Sequence, residues 1–152
     1  MLMLPTKRER WLANNAQCLA LGVDVLYHGT RYRGAILRAG ALLPAPVSDV
    51  SVCFTRSALE AAYWAMLPRD DDEGIGSIFV LQRNRIRDRV RVEQFRYSDE
   101  KNEFEERVLY RPIELKHAMV GLVSEPIEGR SGSARSRARK HTEYMYDAND
   151  WD

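Results

Sequence analysis

Cysteine and histidine are scarce in this 152-residue chain, and neither is clustered. The two cysteines, Cys18 and Cys53, have no paired or metal-like spacing, which argues against a disulfide scaffold and for reduced thiols in a cytosol. The three histidines, at 28, 117 and 141, are too scattered for a zinc or iron site. Long apolar runs are missing as well, and nothing approaches the roughly 20 residues of a membrane-spanning helix. The opening Met1-Leu2-Met3-Leu4-Pro5 is too short for a signal-peptide core and gives way to Lys7-Arg8-Glu9-Arg10. An excess of one charge sign is absent too. With 23 Lys and Arg against 22 Asp and Glu, no global field argues for nucleic acid or a membrane. These absences predict a soluble, cytoplasmic protein with no metal and no membrane partner. No internal repeat is visible, and the length suits one domain with a real core plus a tail.

What is present is a series of well-punctuated elements. Thr6 and Glu9 form a capping box for a first helix, with Trp11, Leu12, Ala16 and Leu19 on one face and Gly22 as its stop. Val23-Asp24-Val25-Leu26 is half-buried strand material that runs into Tyr27-His28-Gly29-Thr30. A short helical pattern over residues 32–39 closes on Gly40, and Leu42-Leu43-Pro44-Ala45-Pro46 reads as a loop. Residues 50–54 alternate as a strand should. Ser57 and Glu60 make a second capping box, predicting a helix over residues 58–67 that Pro68 ends. Ser77-Ile78-Phe79-Val80-Leu81 reads as a strand buried on both faces. Arg83, Arg85, Arg87, Arg89 and Arg91 then recur at every second position, and a strand would put all five guanidiniums on one side. Strands over residues 105–110 and 118–123 follow. Beyond Pro126 the composition turns rich in Ser, Gly and Arg, which predicts a mobile basic tail. Short strands with few helices imply an α+β fold rather than alternating βαβ units.

Three blocks carry the chemistry. His28-Gly29-Thr30 ends a strand, placing an imidazole and a Cβ-free backbone at the lip of a cleft. Val52-Cys53-Phe54-Thr55 leads into Ala61-Ala62-Tyr63-Trp64-Ala65, and Glu103-Phe104-Glu105-Glu106-Arg107-Val108-Leu109 comes last. In that order they resemble the ADP-ribosyltransferase superfamily, which uses NAD as donor. Within it they are closest to the His-Tyr-Glu branch, which includes diphtheria toxin and the poly(ADP-ribose) polymerases. The resemblance spans about residues 23–123. It implies a split, two-sheet α+β fold with an NAD cleft between the sheets. The expected layout is an N-terminal helix over 1–22, a catalytic domain over 23–125 and a flexible basic tail over 126–152. One departure is visible: Cys53 stands where the branch places its first tyrosine, with Phe54 beside it.

The implied reaction breaks the bond between nicotinamide and ribose. Nicotinamide is a good leaving group, so the site must hold it, fix the ribose and stabilise an oxocarbenium-like centre, as glycosidase carboxylates do. Glu103, Glu105 and Glu106 compete for the carboxylate role. Period-2 geometry puts Glu106 on the face of Phe104 and Val108, and Glu105 on that of Arg107, so Glu106 is the first choice and Glu105 the second. The resemblance implies that His28 bonds a ribose hydroxyl, that Gly29 backbone groups take the nicotinamide carboxamide, and that Thr30 assists. It also implies an aromatic on the central helix stacked on nicotinamide, a role for Tyr63 with Trp64 as alternative. Phe54 is a possible second stacking face. Ser57 could bond the carboxamide, although its capping role already explains it.

The expected function is NAD-dependent mono-ADP-ribosyl transfer to a macromolecular acceptor, protein or nucleic acid, which the sequence does not identify. A role as toxin or effector, acting in a host or target cell, stays open beside a housekeeping one. Two alternatives stand: an RNA 2′-phosphotransferase-like enzyme, which also uses His-Gly-Thr, and a non-catalytic module that binds NAD or ADP-ribose. A nucleic-acid-binding role rests on the alternate arginines and the basic tail.

Overall fold

Side-chain caps start the two helices that cover one face of the sheet. Thr6 Oγ1 accepts the Glu9 amide at 3.1 Å to open α1 (Lys7–Leu19), and Ser57 Oγ accepts the Glu60 amide at 3.1 Å to open α3 (Ala58–Met66). The computed structural model describes residues 4–44, 51–93, 104–126 and 146–147. Between the helices lie β1 (Val25–Thr30), α2 (Arg33–Ala39), β2 (Ala41–Leu42) and β3 (Ser51–Thr55). After α3 come β4 (Ser77–Gln82), β5 (Val90–Glu93), β6 (Phe104–Leu109), β7 (Ile113–Glu114), α4 (Leu115–Ala118), β8 (Met119–Ser124) and β9 (Tyr146–Asp147). The class is α+β, as the pattern of elements predicts.

Seven strands form one antiparallel sheet in the order β5-β6-β3-β1-β4-β8-β9, and β2 pairs with β7 in a second, two-stranded sheet. The large sheet is not uniformly joined. Six residue pairs tie β1 to β4 and five tie β3 to β6, but only Tyr27 and Thr55 tie β1 to β3. Beyond that pair the two strands part.

Both faces are covered. Leu12, Ala13 and Ala16 of α1 and Ala58, Ala61, Ala62 and Ala65 of α3 pack on Val25, Tyr27, Ile78 and Val80. On the other face, α2, the small sheet and α4 enclose Leu26, Val52, Phe54, Phe79, Leu81 and Val108. Strand alternation sorts the side chains between these two cores. The N-terminal helix therefore shares a core with the sheet.

The alanine face of α3 lets its backbone lie very close to the sheet, and two glycines make room for it. A Cβ on Gly29 would sit 1.9 Å from the Ala61 carbonyl oxygen, and one on Gly76 would sit 2.5 Å from that of Ala65. Backbone cannot move aside as a side-chain tip can. The glycine of the His-Gly pair, read from sequence as room for a ligand, is thus first a seat for a helix.

The turn after α3 is fastened to the end of β1. Asp72 accepts Arg31 Nε at 2.7 Å, and Glu73 accepts the amides of Gly34 and Ala35 at 2.6 and 3.0 Å. Hydrogen bonds from Arg31 and from the Arg69 amide pull the Asp72 carboxyl down to about 2.

One sequence expectation needs correction. The alternate arginines do not share one strand: Arg83–Arg85 forms a single 3-10 turn, Asp88 has φ 59°, and β5 begins only at Val90. An Asp in the left-handed region interrupts any continuous strand. Of the C-terminal tail beyond Pro126, two residues are described. Tyr146 and Asp147 pair with Leu122 and Gly121 as an edge strand, while residues 127–145 and 148–152 lie outside the described residues.

Gly29→Ala should destabilise the fold by about 3 kcal/mol, the upper end of overpacking costs. Gly34→Ala meets only the tips of Glu73 and Arg38 at 3.0 to 3.2 Å and removes a helical glycine, so it should be neutral or stabilising. Urea unfolding of the two variants checks the contrast. Equal stabilities would mean that α3 does not lie as close to β1 as described.

Candidate functional site

Where β1 leaves β3, a side chain takes over a backbone bond. His28 Nδ1 lies 2.8 Å from the Cys53 carbonyl oxygen. A carbonyl only accepts, so Nδ1 carries the proton, and the neutral ring keeps Nε2 as an acceptor. Burial lowers the His28 pKa below 6.5, the bond to Cys53 opposes that, and the Arg69 charge adds to the lowering. The ring is held edge-on to Phe54, with centroids 5.9 Å apart.

The alternation of an antiparallel strand then fixes what faces the opening. Cys53 and Thr55 turn their carbonyls toward β1, so Tyr27 and Gly29 are the β1 residues whose backbone groups face β3. Tyr27 pairs with Thr55, but the next pair, Gly29 with Cys53, is not made. The Gly29 N–H and C=O consequently point into the parted region beside the imidazole.

Register places the other sequence candidates. Thr55 opposite Tyr27 brings Phe54 opposite His28, and Phe54 is paired with Glu106. His28, Phe54 and Glu106 thus form one transverse row. At the usual strand spacing, His28 and Glu106 are about 10 Å apart at their backbones. Phe54 is fully buried between them and offers no free face for stacking. Glu105 sits opposite Thr55 in register, its side chain outside the described residues, as is Glu103 altogether.

Glu106 is 1% exposed and does not stand alone. Its Oε2 accepts Arg56 Nε at 2.9 Å and Arg83 Nε at 3.2 Å. Its Oε1 accepts Arg89 Nε at 3.0 Å, with Arg83 Nε and Nη2 both at 3.3 Å. A carboxylate has about four lone-pair sites, so these contacts saturate it. Burial alone would raise the Glu106 pKa, but the guanidiniums of Arg56 and Arg83 overcome it and hold the group below the ordinary 4.5. Arg83 in turn is raised by Glu106, and it reaches Asp24 at 3.5 Å.

The remaining candidates split between packing and surface. Thr30 is buried, and its hydroxyl accepts the Tyr32 amide at 3.0 Å; the Ser57 hydroxyl caps α3. Tyr63 and Trp64 are half-buried on α3, edge to face with centroids 5.0 Å apart. Arg69 lies over the Trp64 ring at 5.8 Å, a cation–π contact that occupies one Trp64 face. Because α3 packs on the face opposite the His28 row, Tyr63 and Glu106 do not share a surface of the sheet.

Sequence reading missed Arg56, Arg83 and Arg89 as partners of Glu106. Two of them belong to the alternate-arginine run and carried a signal, but one that pointed to a single side of a strand. Among the described residues no group of three or more His, Cys, Asp or Glu could hold a metal ion, and no helix is long and apolar enough to cross a membrane. Comparison with known proteins yields no match: no family model, no curated protein and no solved structure aligns with this chain.

Removing Glu106 takes away the carboxylate on which three guanidiniums now converge. Glu106→Leu should cost about 3 kcal/mol in urea unfolding, as for other broken buried pairs. Arg56→Ala, whose side chain is 34% exposed, should cost only about 1 kcal/mol. Because the folded-state pKa of Glu106 is depressed, its contribution is present above pH 4.5 and is lost as the pH falls through the lower folded value. The gap in stability between wild type and Glu106→Leu should therefore close on acidification. A gap that persists in acid would show that volume, not charge, is what matters there.

Proposed function

We propose that the chain is an NAD-dependent mono-ADP-ribosyltransferase, which cleaves the bond between nicotinamide and ribose and passes ADP-ribose to a macromolecular acceptor. The observation that carries this reading is the parting of β1 and β3 beside His28, whose Nδ1 is taken by the Cys53 carbonyl and whose Nε2 stays an acceptor, with the Gly29 backbone facing the opening. The needs of the ligand match those groups. A carboxamide offers one acceptor and two N–H donors, which suit the Gly29 N–H and C=O; a ribose hydroxyl donates to Nε2. Between the two aromatics of α3, Tyr63 is the first candidate for stacking on nicotinamide, since Arg69 already lies on Trp64.

In the reaction nicotinamide departs with the electron pair of the glycosidic bond. The acceptor nucleophile attacks the ribose C1 and loses its proton. Positive charge on the ribose in between calls for a carboxylate. Glu106 shares the row of His28 and is the first candidate, but it must shed a guanidinium before a ribose hydroxyl can reach it. Glu105, opposite Thr55, is the second.

The arginines favour a second reading. Three guanidiniums gathered beside the row suit a phosphate acceptor, which is what an RNA 2′-phosphotransferase-like enzyme would present.

Nicotinamide release from NAD, followed chromatographically, tests the proposal. Glu106→Gln, with its fold checked by circular dichroism, should lose about 100-fold or more in kcat with little change in NAD affinity. A dead Glu105→Gln beside an active Glu106→Gln would move the catalytic role by one residue. Wild-type protein that releases no nicotinamide with any acceptor would end the transferase reading.

The pH profile follows from His28. Its ring must be neutral to accept from ribose, and its pKa lies below 6.5 in the fold, so kcat/KM should stay level from neutral pH down through 6.5 and fall only below it. A fall centred at or above 6.5 would contradict that role for the imidazole.

A further inference from the structure

The arginine cluster holds more positive charge than its structural task needs. Arg56, Arg83 and Arg89 converge on one carboxylate, and the exposed Asp24 is the only other acid bonded to them among the described residues. Among the described residues, one positive charge stays uncompensated even when Asp24 is counted. The acid lies underneath, 1% exposed, while the arginine side chains above it are 34%, 26% and 22% exposed. The cluster therefore presents its cationic side outward.

The donors on that side are not used up by Glu106. A guanidinium has five N–H groups. Arg56 gives Glu106 only its Nε–H, leaving both Nη groups beyond the carboxylate. Arg89 gives Nε–H to Glu106 and turns Nη1 to the carbonyls of Arg83 and Ile86, which leaves Nη2. Those carbonyl bonds and the buried acid fix the guanidiniums in place, so a ligand need not order them.

We propose that Arg56, Arg83 and Arg89, held by Glu106 beneath them, form a binding site for the pyrophosphate of a nucleotide. Fixed planar forks pair bidentately with phosphate oxygens, which a lysine or a diffuse field cannot imitate. The site lies about two strand spacings from His28, within the span of a dinucleotide. It goes beyond the transferase reading, since it requires phosphate recognition and no bond cleavage. A phosphate drawing on Arg56 also loosens its hold on Glu106, which couples ligand arrival to the freeing of that carboxylate.

Calorimetric titration of the full chain with inorganic pyrophosphate and with ADP tests the site. Both should bind saturably, more weakly at high salt, and should raise the thermal unfolding midpoint. Arg56→Lys keeps the charge but loses the fork, and should weaken both ligands about tenfold, equivalent to one charge-assisted hydrogen bond. Arg85→Lys, an exposed neighbour bonded to Gln82, should leave binding unchanged. Absence of binding and of thermal stabilisation by wild type overturns the proposal, whatever the variants do. So does unchanged binding in Arg56→Lys, which would indicate a diffuse field that charge alone supplies. Pyrophosphate binding without NAD cleavage keeps this site and removes the transferase; NAD cleavage without pyrophosphate binding does the reverse.

Discussion

The structure depends on a ladder that stops early. Between β1 and β3 a seven-stranded sheet is joined by one residue pair, and the bond that would come next is replaced by an imidazole on a carbonyl. An unpaired stretch inside a sheet leaves backbone groups with nothing to bond, which is costly unless something else satisfies them. His28 satisfies Cys53, and doing so fixes its own tautomer. What is left over is the Gly29 backbone and, on the residue before it, the far ring nitrogen. The two halves of the sheet stay together because β1 is fully laddered to β4, β3 to β6, and α3 spans from one half to the other. Helix seating and strand parting meet at the same residue, Gly29, one at its Cα and the other at its peptide groups.

Charge is handled in the opposite way at the other end of the row. Instead of an open group awaiting a ligand, Glu106 is a buried acid with every lone pair engaged. Taking such an acid out of water is expensive, and three guanidiniums offset the cost only by being held around it. That arrangement makes Glu106 poor as a free carboxylate and good as an organiser of cations. Both readings of the chemistry, ribosyl transfer and phosphate recognition, turn on how firmly those guanidiniums are held.

Local chemistry was legible in the sequence wherever it was written within a few residues. Both capping boxes, the Gly40 stop and the alternation that sends Glu106 inward rest on short-range rules, and the structure follows them. The two-residue strands β2, β7 and β9 were beyond reach because two residues carry no period. The arginine run misled because alternation was assumed to continue across Asp88, whose left-handed backbone breaks it. Arg56 gave no signal at all. Its meaning lies in a partner 50 residues away, and only strand pairing brings the two together. Gly29 shows the same limit from the other side: its requirement was read correctly, but the neighbour that imposes it is a helix.

The central claim is that the opening between β1 and β3 is a binding site with Gly29 and His28 as its polar floor. Amide and imidazole NMR of the ¹⁵N-labelled protein during titration with NAD, and separately with nicotinamide, tests it most directly. The account predicts that the Gly29 amide and His28 Nε2 move together and saturably, while the Tyr27 amide, already paired with Thr55, stays put. A Gly29 amide that is protected from exchange before any ligand is added, or that does not respond to either compound, would contradict it.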